Sequence, residues 1–373
     1  MKYYLIAGEA SGDLHGANLI KALQRVDGGA RFRFWGGDLM AAQAGKPVKH
    51  YSELAFMGFV EVAANLGTIL KNISFCKKDI LRFQPDAVIF IDYPGFNLRI
   101  AKWAKAEGFN TQYYISPQIW AWKESRIKQI KRDVGAMYVI LPFEKRFYEK
   151  KHNFPVHFVG HPLLDALAQR VPLSESKFKA AHALDDRPII ALLPGSRKQE
   201  IRKMLTAMLQ ITPHFGDHQF VIAGAPGHGA AFYNTFIREK NVHLVLNRTY
   251  DLLSVSTAAL VTSGTATLET ALFKVPQVVC YKGNPISYAI AKRVIKLKYI
   301  SLVNLILDRP AVTELIQHDV TPKRLRAELK LILEKNKCAA LLLDYRDLET
   351  ALGGTGASDK TAGLIYKSLT EKI

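Results

Sequence analysis

The feature that most constrains the fold is a recurring short apolar run that ends in a glycine, proline or aspartate turn and leads into a segment of helical periodicity. Runs of this kind occupy residues 3–7, 87–91, 112–115, 189–193, 220–223 and 258–261. Continuous apolar runs of this length are typical of parallel strands that are buried on both faces. Their alternation with helix-length segments predicts an α/β fold with doubly wound sheets, in which ligands bind beyond the carboxyl ends of the strands.

The alternating pattern pauses near residues 156–165 and then starts again. The chain has 373 residues, whereas one hydrophobic core seldom extends beyond about 250 residues. We therefore predict two Rossmann-like domains that face a central cleft, the first over 1–163 and the second over 164–350. A short amphipathic helix expected at about 357–373 is predicted to pack back on the first domain.

The charge balance points to anionic partners. Lys and Arg number 51 against 33 Asp and Glu, which gives a formal net charge of +18. Such a charge attracts nucleic acid, an anionic lipid surface or a phosphorylated small molecule alike.

The three cysteines are far apart and lack the spacing of a disulfide framework or a zinc cluster, which favours a reducing compartment. No secretory signal and no apolar run long enough to span a membrane is apparent, so a soluble or peripheral protein is expected.

The most informative segment of the second half is TSGTATLETAL, residues 262–272, which directly follows an apolar run. Small residues there allow the backbone to approach a ligand, and unpaired amides at a helix start favour a diphosphate at Gly264, Thr265 and Ala266. Glu269 lies about one turn inside that helix, where a carboxylate can accept hydrogen bonds from both ribose hydroxyls. The alternative is an ordinary helix cap with an acidic first turn.

A second loop of the same kind is PGSRKQE, residues 194–200. Its Arg197 is suited to bind a phosphate through two N–H groups, unless it is simply a surface arginine. The chain has neither the phosphate-binding loop of nucleoside triphosphatases nor the glycine pattern of dinucleotide-binding enzymes after its first strand. ATP hydrolysis and dinucleotide oxidoreduction are therefore disfavoured.

In the first half, Asp92 follows five apolar residues and precedes a Pro-Gly turn. A partly desolvated carboxylate at the rim of a cleft can have its pKa raised and serve as a general base, whereas the alternative is a turn-forming aspartate. Glu9 and Ser11 lie in the glycine-containing loop after the first strand. His157 and His161 are four residues apart but on strand and loop, so no metal site is assigned.

Residues 54–75 carry more apolar side chains than one helical face can hold. Phe56, Met57 and Val60 fall outside the predicted buried face, and this surplus suits acyl chains or a bilayer surface. Basic clusters at 123–132 and 145–151, with Trp120 and Trp122 beside them, suit an anionic membrane interface. The alternative is a core helix with solvated charges nearby.

Taken together, these segments resemble the lipid-A-disaccharide synthase family of inverting GT-B glycosyltransferases along nearly the whole chain. The matching motifs are AGEASGD (7–13), MGFVEV (57–62), IDYPGFN (91–97), YYISPQIWAWK (113–123), LPFE (141–144), FVGHP (158–162), LLPGSRKQEI (192–201), TSGTATLE (262–269) and ISLVNLILDR (300–309).

The resemblance implies transfer of 2,3-diacylglucosamine from its UDP derivative to the 6-hydroxyl of 2,3-diacylglucosamine 1-phosphate, with inversion and release of UDP. It implies no metal and no cofactor. Asp92 and Glu9 are the implied catalytic residues. The implied donor contacts are Arg197, Ser196, Gly264, Thr265, Ala266, Thr267, Glu269 and Asn304, and the implied acceptor and acyl contacts are Ser11, Phe56, Met57, Phe59 and Val60.

The resemblance further implies a cytoplasmic protein held peripherally at the anionic inner face of the inner membrane of a Gram-negative cell, with no nucleic-acid partner. The choice between monomer and homodimer stays open. Two departures from the family pattern stand out: Gly95 replaces a frequent aspartate and Val303 a frequent proline. Competing hypotheses are an N-acetylglucosaminyltransferase or UDP-sugar epimerase of the same fold, and a basic protein that binds RNA or membrane without catalysis.

Overall fold

The computed structural model describes residues 1–54, 66–171, 173–283, 288 and 298–371. The candidate acyl contacts Phe56, Met57, Phe59 and Val60 lie outside the described residues. The chain divides into two compact units, which are Met1–Arg170 with Leu352–Ile373 and Val171–Ala351. The first unit thus continues to Arg170, beyond the predicted boundary at residue 163.

The first unit is built on a parallel sheet of seven strands in the order β3-β2-β1-β4-β5-β6-β7. Its strands are β1 (Lys2–Ala7), β2 (Arg31–Gly36), β3 (Lys49–His50), β4 (Ala87–Ile91), β5 (Thr111–Tyr114), β6 (Ala136–Val139) and β7 (His157–Phe158). The two central strands, β1 and β4, are almost wholly buried, as their continuous apolar sequences predict.

Helices connect these strands and cover the sheet. They are α1 (Ala10–Val26), α2 (Asp38–Ala44), α3 (Leu66–Phe83), α4 (Pro94–Ala106), α5 (Ile127–Asp133), α6 (Pro142–Arg146) and α7 (Pro162–Ala168). Short 3-10 turns lie at Tyr51–Glu53 and Glu124–Arg126, and a π-helical turn at Phe147–Lys151 follows α6.

The second unit repeats this plan with a parallel sheet of six strands in the order β10-β9-β8-β11-β12-β13. Its strands are β8 (Ile189–Leu193), β9 (Gln219–Gly224), β10 (Val242–Leu246), β11 (Ser256–Thr262), β12 (Gln277–Tyr281) and β13 (Thr313–Ile316). Its described helices are α8 (Glu175–Ala181), α9 (Lys198–Leu209), α10 (Ala230–Asn234), α11 (Thr249–Ser254), α12 (Thr265–Leu272), α13 (Leu302–Leu307), α14 (Pro322–Leu333) and α15 (Lys335–Ala351). The predicted α/β class with two doubly wound sheets is confirmed.

Each sheet has one place where the strand order reverses. In the first unit it lies between β1 and β4, and in the second unit between β8 and β11. The loops that leave two such neighbouring strands run to opposite faces of the sheet, so they open a crevice in which ligands of doubly wound proteins bind. The loops after β1, β4, β8 and β11 carry Glu9, Asp92, Ser196 with Arg197, and Gly264, respectively.

The last helix, α16 (Ala357–Thr370), belongs to the first unit. Asp165, on α7, accepts hydrogen bonds from the amides of Gly356 (2.6 Å) and Ser358 (2.8 Å) and so satisfies the start of α16. Ala362 and Ile365 are buried where α16 packs on α1. This contact of α7 with α16 explains why the first unit extends beyond residue 163.

A polar network that includes the buried Asp79 and Tyr4 and the exposed Arg33 anchors α3 to the sheet of the first unit. Arg33 on β2 donates to both carboxylate oxygens of Asp79 on α3, at 2.6 and 2.5 Å. The hydroxyl of Tyr4 donates to the same carboxylate at 2.8 Å and accepts from the indole N–H of Trp35 at 2.9 Å. Bidentate pairing of this kind fixes both position and orientation.

Among the described helices, none combines the length and the apolar character needed to cross a bilayer.

Candidate active site

Asp92 and Glu9 lie at the point where the strand order of the first unit reverses. β1 and β4 run in parallel, with Ala7 opposite Ile91 at their carboxyl ends. Glu9 comes two residues after Ala7 and is the N-cap of α1, whereas Asp92 directly follows Ile91. The structure therefore brings together the two carboxylates that the sequence analysis singled out.

The backbone at Asp92 is unusual. Asp92 and Tyr93 both have positive φ angles, 43° and 48°, in the left-handed region that L-residues seldom adopt. Each such residue costs on the order of 1 kcal/mol or more unless its surroundings hold it in place. Two side chains do so here, because the carbonyl oxygen of Asp92 accepts from the Tyr113 hydroxyl at 2.7 Å and from the Asn97 amide at 2.8 Å.

The carboxyl group of Asp92 is held in a partly dehydrated and negatively charged environment. Burial is the main cause that raises the pKa of Asp92 to about 7, and the nearby charges of Glu9 and Glu144 add to it. A hydrogen bond from the Tyr93 amide acts in the opposite direction. A carboxylate with a pKa near neutrality is well matched to accept a proton from a hydroxyl group.

Two glycines near Asp92 have contrasting roles. A Cβ atom on Gly8 would lie 2.3 Å from the ring of Tyr93, so the loop after β1 can pass Tyr93 only as glycine. A Cβ atom on Gly95 would meet nothing within 4 Å. The surroundings of Gly95 therefore leave room for a Cβ atom, so this position does not require glycine for steric reasons.

Glu144 organises a second part of this edge, which the sequence analysis did not identify. It is 1% exposed and accepts hydrogen bonds from Ser116 Oγ (2.6 Å), Trp120 Nε1 (3.2 Å) and the Ile140 and Leu141 amides (3.1 and 2.9 Å). Its buried carboxylate thus ties the loop after β5 to the loop after β6. Burial raises the pKa of Glu144. In the sequence, the only sign of this link between the two loops is that the motif at 113–123 contains Ser116 and Trp120 and the motif at 141–144 contains Glu144.

Ser11 and Asp13 have different surroundings although both belong to the first turn of α1. Ser11 is exposed, as an acceptor contact requires. Asp13 is 3% exposed, and its carboxylate accepts from the amides of Gly37 (2.7 Å), Leu39 (3.1 Å) and Met40 (3.1 Å) at the start of α2. Asp13 therefore stabilises the fold, and Ser11 is the residue of this pair that is open to a ligand.

In the second unit, the two candidate donor loops leave adjacent strands. Leu193 at the end of β8 pairs with Val261 near the end of β11. Ser196 and Arg197 follow β8, with Arg197 as the exposed N-cap of α9. Ser196 donates its amide to Glu200 at 3.3 Å, which fixes the turn at Gly195, whose φ is +98°.

The second candidate donor loop of this unit leads into the start of α12. Gly264 is the N-cap, and no side-chain group caps the helix there. The first amides of a helix have no partner within it and carry the positive end of its dipole. Gly264 and Thr265 are exposed and Ala266 is half-buried, whereas Thr267 is buried and donates its hydroxyl to the Gly264 carbonyl at 2.8 Å. Thr267 therefore shapes this turn from within.

Glu269 is half-buried on α12 and accepts a hydrogen bond from the Tyr250 hydroxyl at 2.8 Å. Burial raises the pKa of Glu269. Tyr250, on α11, was not identified from the sequence, since its spacing from Glu269 carries no recognisable pattern. The bond leaves one Glu269 oxygen for other partners and fixes the carboxylate orientation.

Asn304 lies deeper than a donor contact would suggest. It is 1% exposed, and its amide nitrogen donates to the Val312 carbonyl and to Glu314, both at 2.9 Å. Its amide oxygen accepts from the Val312 amide at 2.9 Å. Both amide donors are thus engaged inside the second unit, so the side chain supports the start of β13 in this structure.

The described residues contain no cluster of three or more histidine, cysteine or acidic side chains that could hold a metal ion. The candidate groups for charge stabilisation among them are an arginine and helix amides.

The sequence of this chain is similar to one family of known proteins along nearly its whole length. Residues 3–362 match the model of the family described as lipid-A-disaccharide synthetase. The lipid-A-disaccharide synthase of Geobacter metallireducens is 39% identical over 379 residues, which cover 99% of this chain and 97% of that protein. The lipid-A-disaccharide synthase of Coxiella burnetii is 39% identical over 368 residues, which cover 97% of each chain.

Solved structures share the fold at low identity. The UDP-GlcNAc 2-epimerase of Neisseria meningitidis, bound to UDP-GlcNAc, has a TM-score of 0.67 at 14% identity and is covered, like this chain, over 100% of its length. The MnaA protein of S. aureus, solved with UDP, has a TM-score of 0.69 at 13% identity over 99% of this chain and 97% of that chain. These likenesses concern the fold alone.

Proposed function

The chain belongs to the lipid-A-disaccharide synthase family, and on that premise we propose that Asp92 is the general base of its glycosyl transfer. The chain is a glycosyltransferase of the GT-B type. Its reaction joins UDP-2,3-diacylglucosamine and 2,3-diacylglucosamine 1-phosphate into the β-1′,6-linked disaccharide 1-phosphate and releases UDP. The observation that carries the proposal is the Asp92 carboxyl group, whose pKa is raised to about 7 where the strand order reverses.

In the proposed mechanism, the Asp92 carboxylate accepts the proton of the acceptor 6-hydroxyl. The freed oxygen forms a bond to C1 of the donor sugar while the bond from C1 to the UDP oxygen breaks, and UDP leaves with that electron pair. A single displacement inverts the configuration at C1. The general base contributes about 10²–10⁴-fold to reactions of this type.

The donor diphosphate is assigned to the second unit. Arg197 and the amides near Ser196 lie after β8, and the amides of Gly264, Thr265 and Ala266 lie after β11. An arginine and a helix start together stabilise the negative charge that builds up on departing UDP. Glu269, oriented by Tyr250, is assigned to the ribose hydroxyls.

Glu9 is assigned a supporting role in the first unit. Its negative charge contributes to the raised pKa of Asp92. Its position after β1, next to the exposed Ser11, suits a contact with the acceptor sugar. If Asp92 were not the base, Glu9 would be the next carboxylate to test.

The first unit is also the proposed membrane contact. Leu70 and Phe75 on α3 are 55% and 45% exposed, and Trp122 is 47% exposed. The ammonium group of Lys123 lies 4.3 Å from the centre of the Trp122 ring, and the Arg126 guanidinium lies 5.7 Å away. Exposed apolar side chains interleaved with cations suit a peripheral contact with the anionic inner face of the inner membrane.

The decisive experiment is turnover of the two glycolipids by Asp92→Asn, measured as released UDP. Asparagine keeps the shape and accepts the left-handed backbone, but it cannot take a proton. We expect kcat to fall by about a hundredfold or more with the KM of the UDP donor unchanged. Asp38→Asn, at a fully exposed carboxylate of the same unit, is the matched control and should retain wild-type turnover.

Near-normal turnover by Asp92→Asn would move the role of base to another carboxylate. The acyl dependence of the donor is tested in the same assay. Equal rates on UDP-N-acetylglucosamine would favour a sugar-nucleotide enzyme like the N. meningitidis epimerase over a lipid-specific one.

A further inference from the structure

Asn97 is the buried side chain most closely engaged with the backbone that carries Asp92. It is 0% exposed and lies in the first turn of α4, where its own amide donates to the Tyr93 carbonyl at 3.0 Å. Its side-chain nitrogen lies 2.8 Å from the Asp92 carbonyl oxygen and 3.3 Å from the carbonyl oxygens of Ile91 and Ile6. Three acceptors around one end of the amide identify that end as the nitrogen.

These three carbonyls have a particular geometric meaning. The Ile91 carbonyl belongs to the peptide plane before the Cα atom of Asp92, and the Asp92 carbonyl belongs to the plane after it. One side-chain amide therefore fixes both planes, whose orientations set φ and ψ and with them the direction of the Cα–Cβ bond of Asp92. The bond to Ile6 ties the same amide to the end of β1.

We propose that Asn97 is a positioning residue of the glycosyl transfer, which aims the Asp92 carboxylate by holding both of its flanking peptide planes. The inference rests on the proposed role of Asp92 as base. Tyr113 assists, since its hydroxyl is the second buried donor to the Asp92 carbonyl, at 2.7 Å. These two side chains are the donors to the Asp92 carbonyl in the described residues, and they stabilise the left-handed conformation of Asp92 and Tyr93.

The test compares Asn97→Ala and Tyr113→Phe with the wild type in the glycolipid assay. We expect kcat of Asn97→Ala to fall at least tenfold with the KM of the UDP donor within twofold, because the aim of the base affects the chemical step alone. Tyr113→Phe should change in the same direction by a smaller factor. If Asn97→Ala fails to fold, the Tyr113→Phe result decides.

A pH profile separates positioning from a purely structural role. The turn should loosen in Asn97→Ala and admit water, which brings the pKa of Asp92 down from about 7 towards its ordinary range. The acidic limb of the kcat profile should then move to lower pH by at least about half a pH unit. Asn72→Ala, a buried asparagine on α3, is the matched control for lost stability and should keep both kcat and the acidic limb.

The outcomes distinguish the two hypotheses. If Asn97→Ala and Tyr113→Phe keep wild-type kcat and pH profile while Asp92→Asn is inactive, the positioning role is overturned and the base stands. If Asp92→Asn is active, Asp92 is not the general base, and the positioning role of Asn97 is rejected as well because it depends on that base. Loss of kcat with a displaced acidic limb in Asn97→Ala, but not in Asn72→Ala, supports the inference.

Discussion

The property that suits Asp92 to proton transfer also makes it costly to the folded state. Its carboxyl group is partly buried beside Glu9 and Glu144, on a backbone that L-residues seldom adopt. The ionised form is therefore disfavoured in the folded protein relative to the unfolded chain. Strain and perturbed ionisation concentrated at one residue are typical of functional positions.

The difference in stability between Asp92→Asn and the wild type should accordingly depend on pH. Between about pH 4, the ordinary pKa, and about pH 7, the folded state keeps a proton that the unfolded chain loses. The contribution of Asp92 to the free energy of unfolding is therefore fully present below about pH 4 and is lost as the pH rises to about 7. We expect Asp92→Asn to be more stable than the wild type by roughly 1–3 kcal/mol at pH 8, with a smaller difference at pH 5. Urea unfolding at the two pH values measures this, and an equal difference at both would contradict it.

At the scale of single residues, the sequence predicted those site residues that follow soon after a strand. Asp92, Arg197 and Gly264 each lie within four residues after an apolar run, and in the structure each lies at the carboxyl end of a strand. Asn97 acts on main-chain carbonyls across two strands, and such contacts leave no spacing pattern. The inward orientation of Asn304 could not be predicted either, because burial depends on how β13 packs.

At the scale of elements, α3 shows that a helix can be anchored by polar groups on its buried face. The expected apolar stripe includes Ile73, which packs against the core, but Asp79 and Asn72 are buried on the same helix. Periodicity of apolar residues alone does not reveal such positions, because a buried carboxylate requires a partner from another element. Arg33 supplies it from β2.

Removal of this anchor should destabilise the first unit. Asp79→Ala leaves the Arg33 guanidinium and the Tyr4 hydroxyl without their acceptor. We expect a loss of about 3 kcal/mol in the free energy of unfolding. Lys78→Ala, at the adjacent exposed position, should change it by less than about 0.5 kcal/mol. Chemical denaturation of both variants decides, and similar values for the two would refute the anchoring role.

A buried histidine at the start of α7 makes the stability of the folded state depend on pH. His161 is the N-cap, and its Nδ1 atom accepts from the Leu163 amide at 3.2 Å. Burial, with a smaller effect of His15, lowers the pKa of His161 to about 3. The unfolded chain binds a proton at this residue from about pH 6.5 downwards while the folded state does not, so stability falls as the pH drops.

His161→Asn should reduce this acid sensitivity. Asparagine is a good N-cap and does not titrate. We expect the loss of stability between pH 6.5 and pH 4.5 to be smaller than in the wild type by roughly 2 kcal/mol. His214→Asn, at an exposed position of the second unit, should follow the wild type. Thermal unfolding across this range is the measurement, and parallel curves for wild type and His161→Asn would contradict the prediction.

At the scale of the whole molecule, net charge and exposed apolar groups predict a surface contact. The chain carries a formal charge of +18, and Leu70 and Trp122 are exposed in the first unit near basic residues. We expect binding to vesicles that contain anionic phospholipid, weakened by salt as counter-ions screen the contact. Leu70→Ser should weaken it several-fold, whereas Leu343→Ser, at a comparably exposed leucine of the second unit, should not. Sedimentation with vesicles distinguishes them, and equal effects of the two would count against a localised contact.

The return of α16 to the first unit also sets an order of events during synthesis. The second unit is continuous in sequence, whereas the first unit needs both Met1–Arg170 and Leu352–Ile373. During synthesis, the segment Met1–Arg170 therefore lacks the helix that packs on α1 until α16 has been made. Folding of the first unit from the N-terminus therefore cannot be completed until residues 352–370 have been synthesised, after the whole of the second unit.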